Sequence, residues 1–407
     1  MFDAVSLVRC DEYSKEKLDF AIGRVLEEID GLSFVHEKMT IGIKVNLVAG
    51  MAPEKAATTE PLFLRTLCEK LILKGAKVVI GDSPGGIYTS AFVHGVYRAC
   101  GLTDMVKELQ GQYDDGENKV SLNEDFSVKN GEFPDAVSIK NFIYTGWLDN
   151  VDAIINVSKL KTHAMMGMSC AVKNMFGTIP GTTKPEYHMR FSNEQAFANV
   201  MVDLNEYFKP CLYLVDAIDG MEGNGPTAGE KRHIGCVLSS KKPYALDMVC
   251  ADIIGMKLSE VPTLLAAKER GLGPDNVSEV TVCGDLQLSE IRVTDFKRAT
   301  IHQSITFDGN GIIGKLQSKA LMIVFNTKPN VKEKECIGCK KCHETCPAHA
   351  ITMVRSDKAN SGKGGMIPQI DRSKCIKCFC CQEFCPKGAM KVQYNPLGRF
   401  VNKVNHR

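Results

Sequence analysis

The chain has 407 residues, room for two or three domains of roughly 150 residues each. With 44% hydrophobic and 24% charged residues, its composition is that of a globular protein with a sizeable core. A net charge of +2 gives no reason to invoke nucleic acid or a membrane surface, and no apolar run approaches the roughly 20 residues that cross a bilayer. The opening stretch MFDAVSLVRCDEYSKEKL lacks the basic start and long apolar run of a signal peptide, so a cytoplasmic chain with reduced cysteines is expected.

In chain order, residues 4–9 and 40–48 are β-branched runs of the kind that form buried strands, and SKEKLDFAIGRVLEEI between them has helical apolar spacing. Residues 61–74 predict a helix with Pro61 at its start and Gly75 just past its end. Residues 76–81 predict a strand that empties into Asp82-Ser83-Pro84-Gly85-Gly86. The polar, Gly-containing stretch 110–140 reads as an excursion. Further strands are predicted at 152–157, 212–216 and 234–239, with helices at 193–206 and 244–256. This alternation predicts an α/β domain over residues 1–330, with a mostly parallel sheet covered by helices.

Ligands of such sheets bind beyond the carboxyl ends of the strands, which directs attention to the residues after each predicted strand. At or beyond those strand ends stand Lys44, Asn46, Asp82, Ser83, Lys159, Lys161, Asn174 and Asp216, together with His163 and Lys173. Taken singly, each lysine reads as a solvated charge and each Gly-rich turn as a turn. Together, ammoniums and turn amides are what a carboxylate or phosphate requires, so a small anionic substrate is expected here. Lys159, Lys161 and Lys173 would position it and His163 would donate a proton, with a hydrogen-bonded structural histidine as the other reading of His163. No G-x-G-x-x-G follows a strand and no GxxxxGK[ST] occurs, so neither a dinucleotide fingerprint nor a P-loop is present.

The blocks IKVNLV, GDSPGG, INVSKLKTHAMMGMSCAVKNMFG and VDAIDGMEGNGP, within residues 39–250, resemble those of the domain-of-unknown-function family three-six-two. That family is often joined to a two-cluster ferredoxin module, and membership implies little about substrate. KTHAMMGMSCAVKNMFGTIPG is also similar to a segment of nickel-pincer lactate racemases, with His163 and Lys173 at the positions of the His and the cofactor-bearing Lys. The Ser-Gly-Gly that precedes that Lys in the racemases is missing here.

Cys336, Cys339, Cys342 and Cys346 followed by Pro347 form a C-x-x-C-x-x-C-x-x-x-C-P run, and Cys375, Cys378, Cys381 and Cys385 followed by Pro386 repeat it. Zinc sites are usually two C-x-x-C pairs or mixed Cys and His, a poor match to a tandem three-plus-one pattern. Disulfides would need an oxidising compartment. Three thiolates at two-residue intervals suit three irons of a [4Fe–4S] cube, and the fourth ligand must come from elsewhere. Residues 331–395 resemble the two-cluster bacterial ferredoxins, in which the fourth Cys of each run serves the other cluster. The resemblance implies one [4Fe–4S] cluster on Cys336, Cys339, Cys342 and Cys385, and a second on Cys375, Cys378, Cys381 and Cys346. Cys380 is not required by the spacing and reads as a buried spare thiol. SDKANSGKGG at 356–365 reads as a flexible insertion between the halves, and residues 396–407 as a basic tail.

These readings combine into an iron–sulfur oxidoreductase that relays single electrons through two clusters to or from a small anionic substrate. The alternatives are a ferredoxin-type carrier or adaptor for a partner enzyme, and a non-redox enzyme of the nickel-pincer racemase type. A redox partner protein is expected in the first two readings, and a homo-oligomer is compatible with any of them.

Overall fold

The computed structural model describes residues 2–113, 119–181, 183–191, 193–299, 328–356, 365–375 and 380–393. Its contacts divide into two units, Met1–Ala299 and Thr300–Arg407. The expected basic tail, most of the 356–365 insertion and Cys378 lie outside the described residues.

The first unit is built on a mixed, mostly parallel sheet flanked by helices, as the alternation implied. β1 (Phe2–Arg9), β2 (Thr40–Lys44), β3 (Lys77–Gly81), β4 (Val120–Leu122), β7 (Ala153–His163), β8 (Gly167–Ser169), β9 (Leu212–Glu222), β10 (Glu230–Ser240) and β11 (Val280–Gly284) form it, and β5 (Val128–Glu132) and β6 (Asn141–Thr145) pair separately. The order is β11-β1-β10-β9-β7-β2-β3-β4, with β8 added alongside β7. β2 lies parallel to both β3 and β7, and β7 lies parallel to β9, so four consecutive central strands point the same way. β9 and β10 form an antiparallel hairpin, and β10 pairs antiparallel with β1.

Helix α1 (Lys15–Glu27) buries Leu18, Ala21, Ile22, Val25 and Leu26, the single stripe of an amphipathic helix. Helix α2 (Pro61–Leu73) starts on the side chain of Glu60, which accepts the N–H groups of Leu62 at 2.5 Å and Phe63 at 3.2 Å. It is followed by Gly75 in the left-handed conformation, φ +81°. These helices, with α3 (Ser90–Ala99) and α4 (Leu102–Gln112), cover the sheet face that carries Ile43, Ile155 and Val157. The opposite face carries Ile154, Leu160 and Val215. It is covered by α7 (Glu194–Phe208), α8 (Pro243–Ile253) and α9 (Pro262–Glu269), while α5 (Ala171–Asn174) and α6 (Lys184–Arg190) follow β8.

Three strands end several residues away from where the sequence reading placed their C-terminal ends. β2 ends at Lys44 rather than 48, because side chains take over the backbone groups of the next residues: Asn46 N–H donates to Thr59 Oγ1 at 3.0 Å and Leu47 N–H to Asp82 Oδ2 at 2.7 Å. β7 runs on to His163 rather than stopping at 157, paired along Lys161–His163 with β8 and at Lys159 and Lys161 with β9. β9 continues to Glu222 rather than 216. Lys159, Lys161, His163 and Asp216 therefore lie inside strands, not in loops after them. The 110–140 excursion is split: β4 joins the main sheet beside β3, and β5 and β6 form a hairpin of their own. Asp203 of α7 anchors the turn within that hairpin by accepting the N–H groups of Val137, Ser138 and Ile139, and pairs with Arg270 at 2.8 Å.

In the second unit, β12 (Lys328–Val331) pairs antiparallel with β15 (Met390–Gln393), and β13 (Ile351–Arg355) with β14 (Met366–Ile370). Short helices, Lys341–Glu344 and Cys380–Glu383, lie between β12 and β13 and between β14 and β15. The two halves thus repeat one strand–helix–strand plan, with the outer strands paired to each other and the inner strands likewise.

Candidate functional site

Within the first unit, side chains from β2, β3, β7 and β9 and the segment after β8 build one buried polar network. Lys44 Nζ, at the end of β2, lies 2.8 Å from Asp82 Oδ1 at the end of β3. It also donates to the Val45 carbonyl at 2.7 Å and to Asn174 Oδ1 at 3.1 Å. Burial pushes the Lys44 ammonium below its usual pKa and Asp82 opposes that shift, while the charge of Lys173 adds to it. The same Asn174 oxygen accepts Asn46 Nδ2 at 2.9 Å, and Asn174 Nδ2 donates to Asn156 Oδ1 at 2.8 Å. Lys161 Nζ donates to Asn46 Oδ1 at 2.5 Å and to the Ala57 carbonyl. Asn174 is therefore the junction of β2, β7 and α5.

Lys159, two residues before Lys161 and on the same face of β7, forms a second centre. Its Nζ lies 2.8 Å from Asp216 Oδ2 on β9 and 2.6 Å from the Tyr13 hydroxyl, which in turn donates to Asp216 Oδ1 at 2.8 Å. Burial, then the Asp216 charge, holds the Tyr13 phenol well above its ordinary pKa. Glu60 N–H donates to Asp216 Oδ2 at 3.4 Å, and the neighbouring Thr59 Oγ1 reaches the Val157 carbonyl at 3.3 Å, so the loop before α2 bridges the two centres. Burial, followed by the Asp216 charge, raises the Glu60 carboxyl to about 7.

The wall of this network is the segment after α5. Lys173 and Lys184 both stand over the Phe176 ring, at 5.8 and 5.6 Å from its centroid. Lys184 Nζ donates to the Ser83 carbonyl, and Ser83 Oγ accepts Gly181 N–H at 2.8 Å. Gly177 packs so closely on the Lys44–Asp82 pair that a Cβ there would collide with both charged groups. His163 is 2% exposed, and its Nδ1 accepts the N–H groups of Met165 and Met166, each at 3.1 Å. In the neutral ring the proton is therefore on Nε2, and the imidazole holds the turn from β7 into β8.

Lys44, Asn46, Asp82, Ser83, Lys161 and Asn174 are thus brought together. Lys159 and Asp216 form the adjoining centre, Lys173 stands against the wall, and His163 closes the end of β7. Sequence reasoning missed Tyr13, Asn156, Gly177 and Lys184. Tyr13 follows the first strand and falls under the same strand-end rule; Asn156 sits mid-strand and Lys184 after a Gly-Thr-Thr run, where no local signal marks them.

In the second unit, Cys336, Cys339 and Cys342 of the first run and Cys385 of the second line a single cavity, with Val331, Met353, Pro368, Ala389 and Met390 among its apolar walls. Burial, reinforced by the neighbouring thiols, raises Cys342 to about 12. Such thiols give up their protons when iron binds, and four thiols around an apolar cavity fit a [4Fe–4S] cube. Backbone amides point at the sulfurs: Gly338 N–H to Cys336 at 3.4 Å, Ala389 N–H to Cys385 at 3.2 Å and Ala350 N–H to Cys346 at 3.3 Å. The last two are the same contact in the two halves, each four residues past the fourth Cys. His349 and Gly388, three past it, both take positive φ, 47° and 58°. Cys346 and Cys381 pack in the same apolar cluster as Cys385. Cys380 is fully buried at the start of its helix.

Residues 41–252 match the family described as "Domain of unknown function (DUF362)", and residues 335–389 match a 4Fe-4S dicluster domain. The chain is 29% identical over 277 residues, 67% of its length, to the thylakoid-associated protein sll1697 of Synechocystis sp., 81% of which is covered. The lactate racemase apoprotein from Thermoanaerobacterium thermosaccharolyticum aligns with a TM-score of 0.33 and 13% identity, over 51% of this chain and 49% of that one. The dicluster match supports an iron–sulfur electron-carrier role. Among the described residues no helix is long and apolar enough to cross a membrane.

Proposed function

This chain belongs to the DUF362 family, joined at its C-terminal side to a 4Fe-4S dicluster domain, and from that premise we propose that it is an iron–sulfur oxidoreductase acting on a small anionic substrate. Two [4Fe–4S] clusters, on Cys336, Cys339, Cys342 and Cys385 and on Cys375, Cys378, Cys381 and Cys346, would relay single electrons. The cavity that gathers Cys385 with the first three cysteines supports the crossed ligand set.

The observation that carries the substrate half is the convergence of buried Lys44, Lys159, Lys161, Lys173 and Lys184, all under a tenth exposed, on the β2, β3, β7 and β9 network. Lysine is almost never fully buried without a reason. Ammoniums and side-chain amides set close together recognise carboxylates and phosphates. In this reading Lys161 and Lys173 bind the anion, Asn46 and Asn174 orient it, Lys44 and Lys159 hold the positive field against Asp82 and Asp216, and His163 passes a proton from Nε2. The clusters supply the electrons.

Anaerobically purified protein, denatured and analysed by mass spectrometry, should release a carboxylate- or phosphate-bearing compound that Lys173→Ala no longer retains while keeping its iron. A wild type that releases none, with its reduced clusters indifferent to Lys173→Ala, would favour the second reading, an electron carrier or adaptor for a partner enzyme. One observation favours that alternative: Lys44 and Lys159 are already paired with carboxylates at 2.8 Å, as in a purely structural network.

A further inference from the structure

Of the four thiols around the cavity, Cys336, Cys342 and Cys385 are each 8% exposed, whereas Cys339 is exposed. A cluster there has one thiolate at the surface, and electron transfer weakens steeply with distance, so electrons would enter and leave beside Cys339. The rim at that point is specific. Ile337 is 40% exposed, and the exposed Lys340 and Lys387, one from each half of the module, line the same cavity. The charge of the module runs the same way. Residues 331–395 hold twelve Lys and Arg against six Asp and Glu, a formal +6, while the whole chain carries +2, leaving −4 for the rest. A thiolate-ligated cluster is itself anionic and offsets part of that surplus. Lys340 and Lys387 are nonetheless exposed cations on the lining of that cavity.

Resting on the reading that these four thiols hold a cluster, we propose that the face formed by Ile337, Cys339, Lys340 and Lys387 is the docking surface for an acidic one-electron redox protein. The isoleucine supplies the dry centre of the contact and the lysines steer the partner, as interfaces with a small apolar core and a charged rim do. The transfer moves one electron between the cluster and the partner's redox centre, with no bond made or broken.

The test uses one acceptor in two charge states, native cytochrome c, which is basic, and succinylated cytochrome c, which is acidic. The 407-residue chain, reduced with dithionite and freed of excess reductant by anaerobic gel filtration, is mixed with each, and haem reduction is followed by stopped flow from low to high ionic strength. Steering between opposite charges is lost as salt screens it. The acidic acceptor should therefore be reduced about tenfold faster at low salt than at high salt, and the basic one faster as salt rises. Lys340→Asn with Lys387→Glu should abolish the advantage of the acidic acceptor at unchanged iron content. The ratio of the two rates in one sample cancels any loss of cluster during preparation. An acidic acceptor that is no faster at low salt, or a ratio that the double variant leaves unchanged, overturns the docking surface. Wild-type protein that binds no iron or sulfide would instead sink the cluster reading beneath it.

Discussion

The carboxylate of Asp247 on α8 accepts the backbone N–H of Ala171 at 2.8 Å through one oxygen and that of Val172 at 3.1 Å through the other, so α8 fixes the start of the turn that carries Lys173 and Asn174. Complete burial raises this carboxyl to about 7, against the pull of the two N–H groups. Between pH 4 and 7 the native state thus holds a proton that the unfolded chain has released, and stability falls as pH rises through that window and is level above it. Asp247→Asn should remove the share of this slope that Asp247 contributes, a relative change on the order of 4 kcal/mol across the window. Urea unfolding followed by fluorescence of Trp147, the single tryptophan and 2% exposed, measures it. A wild type as stable at pH 8 as at pH 5 relative to the variant would show that the N–H groups outweigh burial.

Gly177 is a position where the backbone must approach a charged pair. Gly177→Ala should force Lys44 from Asp82. Breaking a buried ion pair costs about 3–5 kcal/mol, which the same unfolding curves would resolve. An unchanged midpoint would mean that the wall yields without disturbing the pair.

His163 is the residue whose two roles separate most cleanly. Asn at this position offers an oxygen to the N–H groups of Met165 and Met166 but cannot transfer a proton. If His163 is a general acid, His163→Asn should keep the fold and slow reoxidation of the reduced clusters by the bound compound about 10²–10⁴-fold. Full activity in His163→Asn together with loss of stability in His163→Ala would make it a turn residue alone.

Anaerobic protein should contain close to eight iron per chain, and a reproducible count near four would exclude two complete clusters. Cys385→Ala should damage the cluster of the first run, because Cys385 faces Cys336, Cys339 and Cys342 across one cavity although it is 39 residues beyond Cys346 in the chain. Electron paramagnetic resonance of the reduced variant distinguishes the centres. Cys380→Ala should leave both intact.

The ferredoxin-type module and the α/β alternation were legible in the sequence for a common reason: both rest on local spacing. Cysteine intervals mark ligands whatever surrounds them, and runs such as AKVVIG mark buried strands. What the chain order could not show was the second half of β7. Read locally, Ser158-Lys159-Leu160-Lys161-Thr162-His163 is polar and looks like a loop, yet it is a buried strand. Lysines can enter a sheet when carboxylates and amides meet them there, and the partners are remote: Asp216 lies 57 residues from Lys159, and Asn46 lies 115 from Lys161. From the sequence came the polar positions and the long apolar strands; the short strands β4, β8 and β11 carry no such run and emerged only in the folded sheet. Whether a lysine ends in water or in the core was decided by the tertiary structure, because the cost of burying a charge depends on which groups from distant parts of the chain stand beside it.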